Sequence, residues 1–277
     1  MGLFFNYSNP GPGIEKDAPK KKGVFLYLEI LARKFTKLFT LNLLYFIFSL
    51  PMILIYFMIF LLMIPNIIIS LFMSFAFTIM LGSGPASAGM AYIMRQFSRE
   101  EHVWLASSFF GKMKENFKQE IIVAIVDLLF AFIFAFSAVS YYSQYILTGS
   151  LMWFVLLILL LGFSFFFVST HYYIHQLIVT FENNIKDIYK NAMLFAMTTT
   201  IQNVLLTAFT LGILYAVFDF LTPVFSIILS ALILIAFLRF SVEFFAQNTI
   251  KKVMKPQTEE PDDNEEIIFS DSHGSEK

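Results

Sequence analysis

From Leu38 to Leu81 the chain runs without a single Asp, Glu, Lys or Arg. That stretch decides the class of fold. A helix crosses the hydrocarbon core of a bilayer with roughly 20 apolar residues, so the run is long enough for two crossings. Pro65-Asn66 places a turn inside it, which predicts one span near 39–63 and a second near 67–83. Composition points the same way. With 58% hydrophobic residues, 14% charged residues and 36 Phe in 277 positions, the chain holds more apolar surface than a soluble core absorbs. The apolar run also begins too late and runs too long for a cleaved signal peptide.

Later apolar stretches fall near 121–146, 151–173, 199–220 and 223–245. They are separated by Thr148-Gly149-Ser150, by the polar segment from Glu182 to Lys190, and by Leu221-Thr222-Pro223. None alternates polar with apolar, as barrel strands would. The expected fold is therefore an all-α membrane protein with about six transmembrane helices. The loops after spans one, three and five contain none of the 19 Lys and Arg residues. Because such residues are retained on the inner side of short loops, both termini are expected in the cytoplasm. Trp153, Tyr141, Tyr142 and Tyr145 then fall near the outer interface, and Tyr172 and Tyr173 near the inner one.

Around the spans, residues 1–23 read as an extended basic segment, 24–255 as the membrane domain and 256–277 as an acidic tail that cannot fold alone. Two amphipathic helices are expected at the inner surface. The first, at 24–37, sets Glu29, Arg33 and Lys37 against Val24, Leu28, Leu31 and Phe35. The second, at 101–120, sets Trp104, Phe109 and Phe110 beside Lys112, Lys114 and Lys118. Those three aromatic residues form a candidate contact surface for a cytoplasmic partner.

The break GSGPASAG at 82–89 reads as a hinge where a span turns into a helix running through Met90, Ile93 and Phe97. Ser83 can cap that helix and Pro85 can occupy its first turn. Gly84, Pro85 and Gly89 either let another helix approach closely or, with Ser83, offer N–H groups to an anion such as a lipid phosphate. Packing is the preferred role.

Ionisable groups inside a bilayer are costly and point to function. Asp127 falls inside span three, Arg239 near the inner end of span six, and His171 and His175 near that of span four. All four are expected to meet in the inner leaflet, as a polar cluster lining a cavity or as a structural pairing. His171 and His175 share a helix face at i, i+4, but no Glu follows in the metalloprotease pattern, so no metal site is expected. With no cysteine there is no thiolate chemistry. A phosphate-binding loop with lysine and a nucleophile elbow are also missing. No enzyme, cofactor or nucleic-acid partner is expected.

The segments NPGPGIEKDAPKKKGVFLYLEILARKFTKLFTLNLLY, GPASAGMAYIMRQFSREEHVW and MKENFKQ resemble the YesL family, bacterial multi-span proteins grouped as a domain of unknown function. The resemblance covers roughly residues 1–125, and the later spans fit by hydropathy. It brings no assigned reaction or binding residue. It implies a bacterial cytoplasmic membrane and, from the company such proteins keep, a setting of oligosaccharide uptake. The function expected on that basis is a non-enzymatic accessory or regulator of a carbohydrate ABC importer, touching lipid and the importer's permease. The alternative is a small permease in its own right, using the polar cluster around Asp127. Oligomeric state is left open.

Overall fold

The computed structural model describes residues 21–62 and 84–254. The expected second span, Ser83, residues 1–20 and the acidic tail lie outside the described residues. Helices follow one another with short connections: α1 (Gly23–Arg33), α2 (Phe35–Leu62), α3 (Gly84–Ser98), α4 (Leu105–Glu115), α5 (Phe117–Thr148), α6 (Leu151–Ile178), α7 (Ile185–Thr198) and α8 (Thr200–Phe220). A final long rod comprises α9 (Pro223–Leu229), a π-helical turn (Ser230–Leu234) and α10 (Ile235–Met254). No strand occurs among the described residues. Among the described residues, four segments are long and apolar enough to cross a membrane: Phe117–Thr148, Leu151–Ile178, Thr200–Val217 and Phe225–Val253. The protein is an all-α membrane protein.

Two halves with different packing make up the body. Toward the Thr148-Gly149-Ser150 turn, α5 and α6 form a hairpin whose sides expose Phe136, Leu147, Leu159 and Phe163, as surfaces bathed in lipid do. The turn is made by Gly149 at φ 63, whose N–H returns to the Tyr145 carbonyl, closing the helix in the left-handed conformation that glycine adopts without strain. Tyr141 packs on Trp153 and Tyr145 on Phe154 across it, with ring centroids 5.9 and 5.4 Å apart. At the opposite end, where most Lys and Arg collect, the core is dense. Ala86, Met90, Ile93, Met94 and Phe97 of α3 are fully buried there with Phe109 of α4 and Phe240 and Phe244 of α10.

The hub of this basic end is α3. A carbon added at Gly89 would sit 2.6 Å from the Phe109 carbonyl oxygen and 2.9 Å from its ring. The glycine therefore lets α4 lie directly on α3, the close approach that small residues permit. Phe109, expected on an exposed partner face, is instead fully buried against Gly89 and within 6.0 Å of the Phe48 ring. Only Trp104 and Phe110 of that trio remain exposed.

The helix expected at 24–37 is broken. Lys34 takes φ −101, ψ 8 between α1 and α2, and Tyr27 anchors α1 on α10. Tyr27 donates to or accepts from Ser241 at 2.7 Å and packs 5.6 Å from Phe240. Arg33 meets both Glu29, at 3.8 Å, and Glu100, at 2.5 Å, which ties α1 to the end of α3. The second amphipathic helix is likewise shorter than 101–120. It ends at Glu115, and α5 restarts at Phe117, so the third span begins earlier than expected and carries Glu120 with it.

Sequence patterning also left out α7. Its buried face, Ile188, Ala192, Phe195 and Ala196, packs against Tyr173, Ile174 and Leu177 of α6. The spacing i, i+4, i+7, i+8 was visible, but it lies inside a polar connection too short to read as a span.

Candidate functional site

The hairpin register builds the site. Asp127 and His171 stand at equal distances along the chain from Gly149, so two antiparallel helices joined there must bring them level. His171 Nε2 lies 2.5 Å from Asp127 Oδ1. Nearer the basic end, His175 Nδ1 sits 3.1 and 3.0 Å from the two oxygens of Glu120. Glu120 and Asp127 are i, i+7 and His171 and His175 are i, i+4, so each pair of side chains shares one face of its helix. On the hairpin-tip side Phe130 and Phe167 stack with centroids 3.6 Å apart, and Phe167 lies 4.4 Å from the His171 ring, closing the pair off with apolar surface.

The last rod supplies the cation. Arg239 Nε donates to Glu243 Oε1 at 3.2 Å, and Nη1 donates to Ser87 Oγ of α3 at 3.2 Å. It lies within electrostatic range of Glu120, His171 and His175. One helical turn before it, Asn42 of α2, fully buried, inserts into the rod. Its Nδ2 donates to the carbonyls of Ser230 and Ala231 at 2.9 and 2.6 Å, and its Oδ1 accepts from the Ala236 N–H at 2.7 Å. A side chain that takes over ladder hydrogen bonds widens the helix locally, which accounts for the π-helical turn at 230–234. The Asn42 clamp thus sets the axial position of Arg239.

Protonation follows from the donors and acceptors. His171 Nδ1 is 2.9 Å from the Phe167 carbonyl, which only accepts, so Nδ1 carries a hydrogen. Nε2 faces the Asp127 carboxyl as a close charge contact with no aligned hydrogen bond. For His175, an Nδ1–H aimed at the Glu120 carboxylate suffices. Three carboxyl groups, two imidazoles and one guanidinium occupy the cluster. With neutral imidazoles and ionised carboxyls, their formal charge is one positive against three negative. Two negative charges are then left to be matched. In a low-dielectric interior an unmatched carboxylate is expensive, and Arg239 hydrogen-bonds Glu243 while Glu120 faces only the His175 imidazole.

Beside the cluster, the hydroxyl of Tyr189 in α7 is buried with no hydrogen-bond partner, and its ring is 6.4 Å from that of His171. Burial first, then the negative charges of Asp127 and Glu120, hold this phenol well above its usual range.

All four expected cluster residues are present, but as separate pairs. Asp127 takes His171, while His175 and Arg239 each take a carboxylate the sequence reading passed over, Glu120 and Glu243. Both had a signal. Glu120 is one heptad before Asp127, and Glu243 is one turn after Arg239. The i, i+4 histidines go to different carboxylates, and among the described residues no group of three His, Asp or Glu side chains is placed to hold a metal ion. Gly84 and Pro85 open α3, with Pro85 and Gly89 buried in the core, and packing is what the structure shows there.

Residues 38–138 match the family model described as "Protein of unknown function, DUF624". The match spans α2 from Leu38 through the first part of α5, and so includes Asn42, Ser87, Gly89, Glu120 and Asp127. No curated protein and no solved structure matches the chain.

Proposed function

We propose, from the premise that this chain carries over residues 38–138 the DUF624 domain of YesL-like proteins, that it is a small permease that binds protons at the cluster around Asp127. One observation carries the reading: three carboxyl groups, two imidazoles and a single guanidinium are held among α3, α5, α6 and α10. Ionisable side chains at membrane depth are rare and mark ion pathways and proton relays. Here their charges balance only when protons are bound. Gaining or losing a proton at Glu120–His175 changes the field at Arg239, and with it the attraction between α10 and the hairpin. Helix packing and proton binding are therefore linked. With basic residues retained inside, the cluster lies in the inner leaflet of a bacterial cytoplasmic membrane.

The first test does not need the transported solute. Infrared difference spectra of the purified protein, titrated across roughly pH 5 to 8 where imidazole and shifted carboxyl groups exchange protons, should show carboxyl C=O bands that vanish separately in Asp127→Asn and Glu120→Gln. In proteoliposomes loaded with a pH-sensitive dye, both variants should also lose solute-stimulated proton uptake in a screen of small polar solutes. Spectra without protonatable carboxyl bands sink the proposal.

A second reading is favoured by Trp104, which is 73% exposed at the start of α4 beside exposed Phe110. Such a patch fits an accessory subunit touching the permease of a carbohydrate ABC importer. Trp104→Asp with Phe110→Asp should then abolish co-purification with the importer, while Asp127→Asn leaves it intact.

A further inference from the structure

At the basic end a groove of about 1370 Å³ opens between the α4–α5 junction and the connection from α6 to α7. Its lining holds Arg95, Lys112, Lys114 and Lys118 against Glu115 and Glu182. Lys112 is taken by Glu115 at 2.7 Å. Arg95 spends one nitrogen, Nη1, on the Val179 carbonyl and Thr180 hydroxyl, at 3.1 and 2.8 Å, while its Nε is buried without a partner. Lys114 and Lys118 are exposed and pair with no carboxylate among the described residues. The groove is thus cationic even after its internal pairing.

The apolar part of the lining says which anion fits. Phe110, Phe117 and Phe181 stand beside the cations. From Lys118 an exposed apolar stripe climbs α5 through Ile122, Ile125, Leu129 and Phe136, at the i, i+4, i+7, i+11, i+18 positions of one helix face. Because α5 crosses the membrane, this face runs from headgroup depth into the hydrocarbon. A soluble phosphate uses only the cations. A molecule with a negatively charged phosphate and long acyl chains uses both.

We propose that this groove is a binding site for an anionic phospholipid, its phosphate between Lys114, Lys118 and Arg95 and its acyl chains along the exposed stripe of α5. The site is separate from the proton-binding cluster and does not rest on the permease reading.

The full-length protein in mild detergent, mixed with equal amounts of phosphatidylglycerol and phosphatidylcholine, is read by native mass spectrometry for retained lipid. The parent should keep phosphatidylglycerol in preference. Each lysine near an anionic headgroup contributes about fivefold, so Lys114→Gln with Lys118→Gln should lower that retention about twenty-five-fold. Lys186→Gln with Lys190→Gln removes equal charge from α7, outside the groove, and should change nothing. Excess inorganic phosphate should not displace the lipid. Equal retention of phosphatidylcholine, undiminished phosphatidylglycerol on the groove variant, or an equal loss on the α7 variant overturns the proposal. Displacement by inorganic phosphate alone also overturns it, in favour of a soluble anion. Both lysine pairs are on the surface, so folding is preserved, and unchanged melting of each variant verifies it.

Discussion

Replacing Gly89 with alanine sets helix propensity against packing, and the two predict opposite signs. In a helix interior alanine is favoured over glycine by about 1 kcal/mol. A carbon at this position, however, lies 2.6 Å from the Phe109 carbonyl oxygen and 2.9 and 3.0 Å from ring carbons of the same residue. Ordinary contact begins near 3.5 Å, so α3 and α4 must part by about 1 Å. The oxygen belongs to a helix backbone and cannot swing away as a side chain would. Forcing an extra carbon into such a site costs about 1–3 kcal/mol, which outweighs the propensity gain and leaves Gly89→Ala about 1 kcal/mol less stable. Gly111 of α4 is the control. A carbon there meets nothing within 4 Å, so Gly111→Ala should be stabilised by about 1 kcal/mol. Thermal unfolding of both proteins in one detergent should place their midpoints on opposite sides of the parent, about 4–8 °C apart. If Gly89→Ala melts above the parent with Gly111→Ala, the close approach of α3 and α4 is wrong.

Three further outcomes are expected. Asn42→Ala removes two hydrogen bonds to the π-helical turn and one to Ala236 just beyond it and should cost about 2–4 kcal/mol, with faster amide exchange over residues 230–236; unchanged exchange there would show that Asn42 does not hold the turn. Tyr189→Phe removes a buried hydroxyl that has no partner, so stability near neutral pH should change by less than about 0.5 kcal/mol, and a large loss would reveal a bond to that oxygen. The same variant carries a pH signature: the folded state holds the Tyr189 proton more tightly than the unfolded chain does, so stability is full below a phenol's ordinary value of about 10 and falls as pH rises beyond it. Alkaline unfolding curves should therefore be shallower for Tyr189→Phe than for the parent. Finally, Asp127→Asn and Glu120→Gln should each remove their own carboxyl band from the infrared titration; one variant erasing both would mean the two pairs titrate as a single unit.

Much of the fold was legible because membranes impose a coarse rule. Backbone groups inside lipid must bond within their own helix, so length and apolarity locate spans without knowledge of neighbours. The stretches expected near 121–146, 151–173, 199–220 and 223–245 are all helical. The candidate site was half legible. Asp127, His171, His175 and Arg239 were found because an ionisable group inside an apolar run stands out. Glu120 was hidden because hydropathy placed the start of the span near 121, four residues after the helix begins at Phe117.

The sequence by itself determined that this is an all-α membrane chain with charge collected at one end and costly ionisable groups kept within its spans. Those are consequences of composition along the chain, and each residue contributes to them regardless of its partners. Only the tertiary structure decided who pairs with whom. The level of α6 beside α5 is fixed by the turn at Gly149, the level of Arg239 by Asn42 lodged in the π-helical turn of another helix. Phe109 shows the same division: its type and spacing fitted an exposed face, but the absence of a side chain at Gly89 made a place for it inside. Shape complementarity between distant segments has no signature in either segment alone.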